Sequence, residues 1–274
     1  MPAKKQAQKA SEETAINPWA NHSGSTGMEN VTQQDLGIPF LTVLQDLSPQ
    51  VKKQKEEYIP GAEPGMIINT LTKEILYTDG DQPLNIVPLS YERLYVEWKP
   101  RNAGGGIVKV HSNAAILSRT KRNDRNEDVI QLGEGQGNVI ATTGYLQVAY
   151  GLENFDAKIG LDSLTIAVIA FKSTQLKAVQ GMLNTARSIR INGRPVPLFS
   201  HSYELTTLSQ SNDQGDWWGW KIKLGKMITS PDLATGVIQA NQSVSSSENK
   251  ALLPVADTQG SSAAAELVDD KEVF

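Results

Sequence analysis

Cysteine is absent from all 274 residues, which removes disulfides, thiolate metal ligands and thiol catalysis from consideration. There is no apolar run of about eighteen residues, the length a membrane helix needs. The opening MPAKKQAQKASEET is polar, with no hydrophobic region behind its lysines. Neither a membrane span nor a secretory signal is expected, and the setting should be intracellular. Histidine is scarce too: His22, His111 and His201 are far apart and form no pair at metal-ligand spacing. No GxSxG elbow, HExxH or Walker loop occurs. The glycine-rich GEGQGN of Gly133 to Asn138 lacks the lysine and following helix of a phosphate loop and reads as a turn. No metal or cofactor is expected, and an enzyme is the weak hypothesis, built at most on scattered acids such as Asp79, Asp81 and Asp162.

What is present is ordinary in amount but uneven in place. Hydrophobic residues make up 39% and charged residues 20%, with a net charge of -4, so most of the chain should fold around one core. An acidic balance argues against a polyanionic partner, yet the bases are segregated. Lys99, Arg101, Lys109, Arg119, Lys121, Arg122 and Arg125 share their stretch with a single acid, Asp124. Lys172, Lys177, Arg187, Arg190 and Arg194 share theirs with none, and neither do Lys221, Lys223 and Lys226. A body built this way can meet a phosphate backbone while the chain stays acidic overall.

Residues 1–30 have no periodicity and predict a disordered arm, and the polar stretch from 241 to 274 predicts a linker and acidic tip. Between them, 31–240 is dominated by β-like runs bounded by turn residues: MIINT, EILYT, LNIVPL, YERLYVEW, NVIATTGYLQVAYGL, SLTIAVIAFKS, LFSHSYELTTLS and DWWGWKIKLG. SLTIAVIAFKS is so uniformly apolar that both faces should be covered. One helix stands out in STQLKAVQGMLNTARSI, where Leu176, Val179, Met182, Leu183, Ala186 and Ile189 recur at spacings of three and four and Ser173 or Thr174 is placed to cap. Its other face is expected to carry Lys177, Arg187 and Arg190; these either sit solvated or track a phosphate backbone. The expected fold is mainly β with one or more helices, an antiparallel barrel like the oligonucleotide-binding (OB) fold, with elaborated loops and disordered termini.

Aromatic and basic residues interleave. In DWWGWKIKLGK a strand places Trp218 and Trp220 on one face and Trp217 on the other, with Lys221 and Lys223 behind. Two indoles beside ammonium groups suit stacking on unpaired bases, each stack contributing on the order of 1–3 kcal/mol. YVEWKPR supplies a second such mixture in Tyr95, Trp98, Lys99 and Arg101, close to Arg119, Lys121 and Arg122. Core packing is the competing reading of every tryptophan.

The final AAAELVDDKEVF carries Glu266, Asp269, Asp270, Glu272, Val273 and Phe274 behind a polar linker. In this the chain resembles bacteriophage and bacterial single-stranded DNA-binding proteins, which join an OB-fold body to a flexible linker and an acidic tip ending in an aromatic or apolar residue. LTVLQDLSPQV, PGMIINTLTKE and LTTLSQSNDQGDWWGWKI are similar to segments of tailed-phage proteins. The resemblance implies sequence-independent binding of single-stranded DNA during phage replication or recombination, in the cytoplasm of the infected host. It further implies that the tip recruits replication and recombination proteins and competes with DNA for the basic groove. Lys271 interrupts the acidic pattern, and a tip that only aids solubility is the plainer reading. No membrane partner is expected, and self-association is left open. The alternative is a phage structural or assembly protein whose tryptophans lie at an interface.

Overall fold

The computed structural model describes residues 27, 29–30, 37–100, 103–124, 127–131, 137–151, 165–212, 215–245 and 253–254. The chain divides into units Met1–Leu36 and Gly37–Phe274, and the described fold belongs to the second. A small antiparallel sheet comes first, from β1 (Leu41–Val43), β2 (Ile67–Asn69) and β3 (Ile75–Tyr77). The main sheet is then built from β4 (Leu84–Trp98), β5 (Ile107–His111), β6 (Lys121–Arg122), β7 (Asp128–Ile130), β8 (Asn138–Tyr150) and β9 (Thr165–Lys172). After helix α1 (Leu176–Ser188) come a two-stranded hairpin of β10 (Arg190–Ile191) and β11 (Arg194–Pro195), the long hairpin of β12 (His201–Asn212) and β13 (Gly215–Met227), and helix α2 (Pro231–Val244). The architecture is mostly β, a curled antiparallel half-barrel within the class the sequence indicates.

The pair β4–β8 is its spine, in register from Ile86 opposite Tyr150 to Trp98 opposite Val139. Each spine strand has two partners on its outer edge. Residues Leu84–Ile86 of β4 take β12, and Tyr95–Trp98 take β5. Residues Asn138–Ile140 of β8 take β7, and Thr143–Tyr150 take β9. A bulge between Pro88 and Ser90 shifts the alternation of β4. Proline has no N–H for a ladder, so an irregularity beside it is the natural place for the break. Ile86 and Tyr91 therefore both face inward, while Val87 and Leu89 face the opposite side.

Both faces of the sheet are covered, as the apolar run of β9 leads one to expect. Inside, Ile86, Leu146, Val148, Ile169, Phe171, Tyr203 and Leu205 pack with Leu41, Val43 and Ile67 of the small sheet and with Val179 and Met182 of α1. Outside, Val87, Leu89 and Ala149 meet Leu233, Val237, Ala240 and Val244 of α2. Full burial of a large aliphatic side chain contributes roughly 1.5–3 kcal/mol, so this stripe seats the helix. Helix α2 is not among the elements expected from the sequence, although its signals are local. Ser230 Oγ accepts from Leu233 N at 3.4 Å, and Pro231 and Asp232 occupy the first turn, the residue types that favour a helix start. The helix continues past residue 240, the expected end of the folded body. Leu253 is buried against Phe40, Leu94, Tyr145 and Val168. Of the 1–30 arm only residues 27, 29 and 30 are described.

Candidate nucleic-acid interface

The first basic surface is built on α1 and the short hairpin after it. A 3-10 turn, Ser173–Gln175, leads into α1, and neither Ser173 nor Thr174 caps it: the N-cap position is Gln175, with no side-chain capping bond. The positive φ of Ser173 (48°) turns the chain out of β9 before the helix begins, which moves the capping position on to Gln175. Val179 and Met182 are buried, and Lys177 and Arg187 stand on the exposed face. Arg190 stands not on the helix face but past its end, as the first residue of β10; it is exposed and its guanidinium donates to the carbonyls of Arg187 and, at 3.0 Å, Ile189, satisfying carbonyls that a helix end leaves without partners. The hairpin of β10 and β11 turns through Asn192 (φ 50°) and Gly193 (φ 77°). Two successive positive φ values mark the tight type I′ turn whose twist suits a hairpin. Arg194 is exposed on its second strand. Lys177, Arg187 and Arg194 have no ion-pair partner among the described residues.

Beside α1 runs β13, the strand at one end of the main sheet. Lys221 and Lys223 point away from the core, as the strand period predicts, and Lys223 Nζ lies 3.5 Å from Glu204 Oε2. Lysines on an edge strand also discourage pairing with another chain, which is the bland account of this pair. Trp218 and Trp220 do share a face, but it is the inner one. Trp220 is 5% exposed and its ring lies 6.2 Å from that of Phe171, tilted by 56°. Trp218 is partly exposed and lies over Gly65, where a Cβ would come within 2.8 Å of its ring. The expected stacking platform of Trp218 beside Trp220 is therefore reduced to the accessible part of Trp218. Alternation correctly paired the two rings, but the covered face was the one they share.

A second basic surface lies at the other end of the spine. Tyr95 is 6% exposed and belongs to a core, because Ile116 of the 3-10 helix Ala114–Arg119, Ile130 of β7 and Ile140 of β8 pack with it. Trp98 remains partly exposed and Lys99 is exposed just beyond it. Arg119, Lys121 and Arg122 are exposed nearby, with Arg122 Nε 3.7 Å from Asp128 Oδ1. An open cleft of about 400 Å³ is lined by Lys109, His111, Ser112, Asn113 and Arg119. Beneath it, Glu97 Oε2 lies 2.9 Å from His111 Nε2, and Asn138 Nδ2 donates to Glu97 Oε1 at 2.7 Å. Burial alone would raise the Glu97 carboxyl. The bonds from Asn138 and His111 and the charges of His111 and Arg119 outweigh it and hold the group below its usual value. This cross-strand network joins β4, β5 and β8, and no local sequence pattern announces it.

Thus the structure gathers Lys177, Arg187, Arg190, Lys221 and Lys223 around α1 and β13, and Trp98, Lys99, Arg119, Lys121 and Arg122 around the far end of β4. Arg101 lies outside the described residues, as do Glu266, Asp269, Asp270, Glu272, Val273 and Phe274. No group of three or more potential metal ligands occurs among the described residues, and none of their helices is long and apolar enough to cross a membrane. Neither a curated protein nor a solved structure matches the chain. A family model does, over residues 5–250, and on that match the chain belongs to the bacteriophage family described as Pam3 phage gp34-like protein.

Proposed function

We propose that this phage protein binds single-stranded DNA without sequence preference, as a non-catalytic component of replication or recombination. The observation that carries the reading is the acid-free surface of α1 and its hairpin. Lys177, Arg187 and Arg194 are exposed and without ion-pair partners among the described residues, and no acid occurs between Thr165 and Tyr203. Cations left unpaired on one surface favour a polyanion, whose binding releases counterions. Arg190, Lys221 and Lys223 extend that surface. Lys99, Arg119, Lys121 and Arg122 give a second set of contacts, with Trp98 and the accessible part of Trp218 as stacking surfaces. The acids Glu266, Asp269, Asp270 and Glu272 compete for the bases at low salt and, with Val273 and Phe274, dock partner proteins.

The test is fluorescence anisotropy of labelled oligo(dT) with the full chain across a salt series. Affinity falls with salt, and the combined variant Lys177→Ala, Arg187→Ala, Arg194→Ala lowers the log–log slope by about 2, at roughly 0.7 for each single-strand phosphate that is no longer neutralised. Trp98→Ala weakens binding, whereas Trp220→Phe, confined to the core, leaves it unchanged. Absence of binding even at low salt would overturn the reading and favour a structural or assembly role in the particle.

A further inference from the structure

On the inward side of β4, between the two basic surfaces, lies a group that no sequence motif marks. Tyr91, Arg93 and Tyr95 alternate along one face of the strand. Arg93 stands opposite Gly144 of β8. A Cβ on Gly144 would come within 2.6 Å of Tyr91 Oη, so the Tyr91 ring occupies the space that glycine leaves free. Tyr91 Oη and Arg93 Nε are both buried and have no hydrogen-bond partner among the described residues. No carboxylate pairs with Arg93 among those residues either. The guanidinium leans on the Tyr91 phenol, short of a full hydrogen bond at Nε, and that contact holds it above its usual value despite burial, with Tyr95 adding to the effect.

Glu97, four residues further along the same face, shows the contrast. Its carboxylate is matched by His111 and Asn138, whereas the guanidinium of Arg93 has no counter-charge among the described residues. Buried polar groups are nearly always paired, so two unmet donors at one point mark a place for an acceptor. A half-buried cation beside them selects an acceptor that is also anionic, and the guanidinium fork fits two oxygens of one phosphate. Position agrees with chemistry: Arg93 falls between the β4 residues paired with β12 and those paired with β5, and thus between the two exposed basic sets.

We infer that Arg93 and Tyr91 form a phosphate-binding site on the inner face of β4, with the guanidinium as the charged fork and Tyr91 Oη as an additional donor. A phosphodiester as the source of that phosphate rests on the single-stranded DNA reading; the site itself does not, because a free phosphorylated molecule carries the same group.

The experiment compares the full-length chain with Arg93→Gln, Arg93→Lys and Tyr91→Phe in two assays: thermal unfolding with added inorganic phosphate or pyrophosphate, and oligo(dT) anisotropy. A phosphate-induced rise in melting temperature that Arg93→Gln abolishes supports the site. So does a drop in oligo(dT) affinity of about tenfold or more in that variant, the scale of a missing charged hydrogen bond, with Arg93→Lys intermediate. If Arg93→Gln does not fold, Tyr91→Phe decides, since it keeps the ring that fills the space over Gly144 and removes only the hydroxyl: it keeps the fold and weakens phosphate or oligo(dT) binding. Wild-type behaviour of the folded variants in both assays overturns the site, and leaves the DNA reading on its exposed bases. A response to phosphate through Arg93 without any binding of oligo(dT) keeps the site, assigns it to a free phosphorylated ligand and removes the DNA reading.

Discussion

The side-chain amide of Gln45 pairs with the backbone of Trp218 at both ends. Nε2 donates to the Trp218 carbonyl at 2.9 Å, and the Trp218 N–H donates to Oε1 at 2.8 Å. An amide side chain thus serves β13 as a neighbouring strand would, and ties the segment after β1 to the end of the main sheet. Thr207 Oγ1 adds a parallel tie to the Gly65 carbonyl at 2.7 Å. Together they draw the β12–β13 hairpin onto the small sheet and close the inner core.

Gln45→Leu removes both bonds, together with the one from Nε2 to the Val43 carbonyl at 3.2 Å, while keeping the bulk, and leaves the Trp218 N–H and carbonyl without those partners. Such groups cost about 1–3 kcal/mol when buried. The expected outcome is a loss of that order in denaturant unfolding, with red-shifted tryptophan emission as Trp218 gains water. A variant of wild-type stability with unchanged emission would show that the tie contributes nothing.

Gly65 and Gly61 separate a conformational cost from a steric one. Both have positive φ, 88° and 83°, but a Cβ on Gly65 meets the Trp218 ring at 2.8 Å whereas one on Gly61 meets nothing within 4 Å. Gly61→Ala should cost about 1–2 kcal/mol, the penalty of a left-handed non-glycine residue. Gly65→Ala should cost clearly more, because the indole must also move. Equal losses in urea melts would mean that the ring yields freely.

Acid should weaken the far end of β4 through Glu97. Its carboxyl is lowered in the folded chain, so its contribution to stability is fully present above the unfolded value of about 4.3. That contribution is lost as pH falls through the lower folded value, because the unfolded state then binds the proton more readily. Melting temperatures measured downward from pH 5 should fall more steeply for the wild type than for Glu97→Gln, which has no proton to take up. Parallel curves would show that the network of Glu97, His111 and Asn138 adds no pH dependence.

The sequence by itself determined the strand content of β4, β8, β9, β12 and β13, the amphipathic α1, the separation of bases from acids and the absence of thiol chemistry. Each is a property of composition or of short-range period, and both survive without knowledge of the fold. It also determined that Trp218 and Trp220 share a face, because a strand alternates with a period of two. Only the tertiary structure decided that this face is the covered one, since alternation says which residues go together and not which side receives the core. The same limit placed Tyr95 inside and left Trp98 accessible. Gln45 meets Trp218 across 173 residues, and Glu97, His111 and Asn138 meet from three strands; pairs set by sheet register leave no local trace. Arg93 is the clearest case. In the sequence it is one arginine in YERLYVEW, and only the packing around Gly144 and Tyr91 leaves it half-buried without a counter-charge among the described residues.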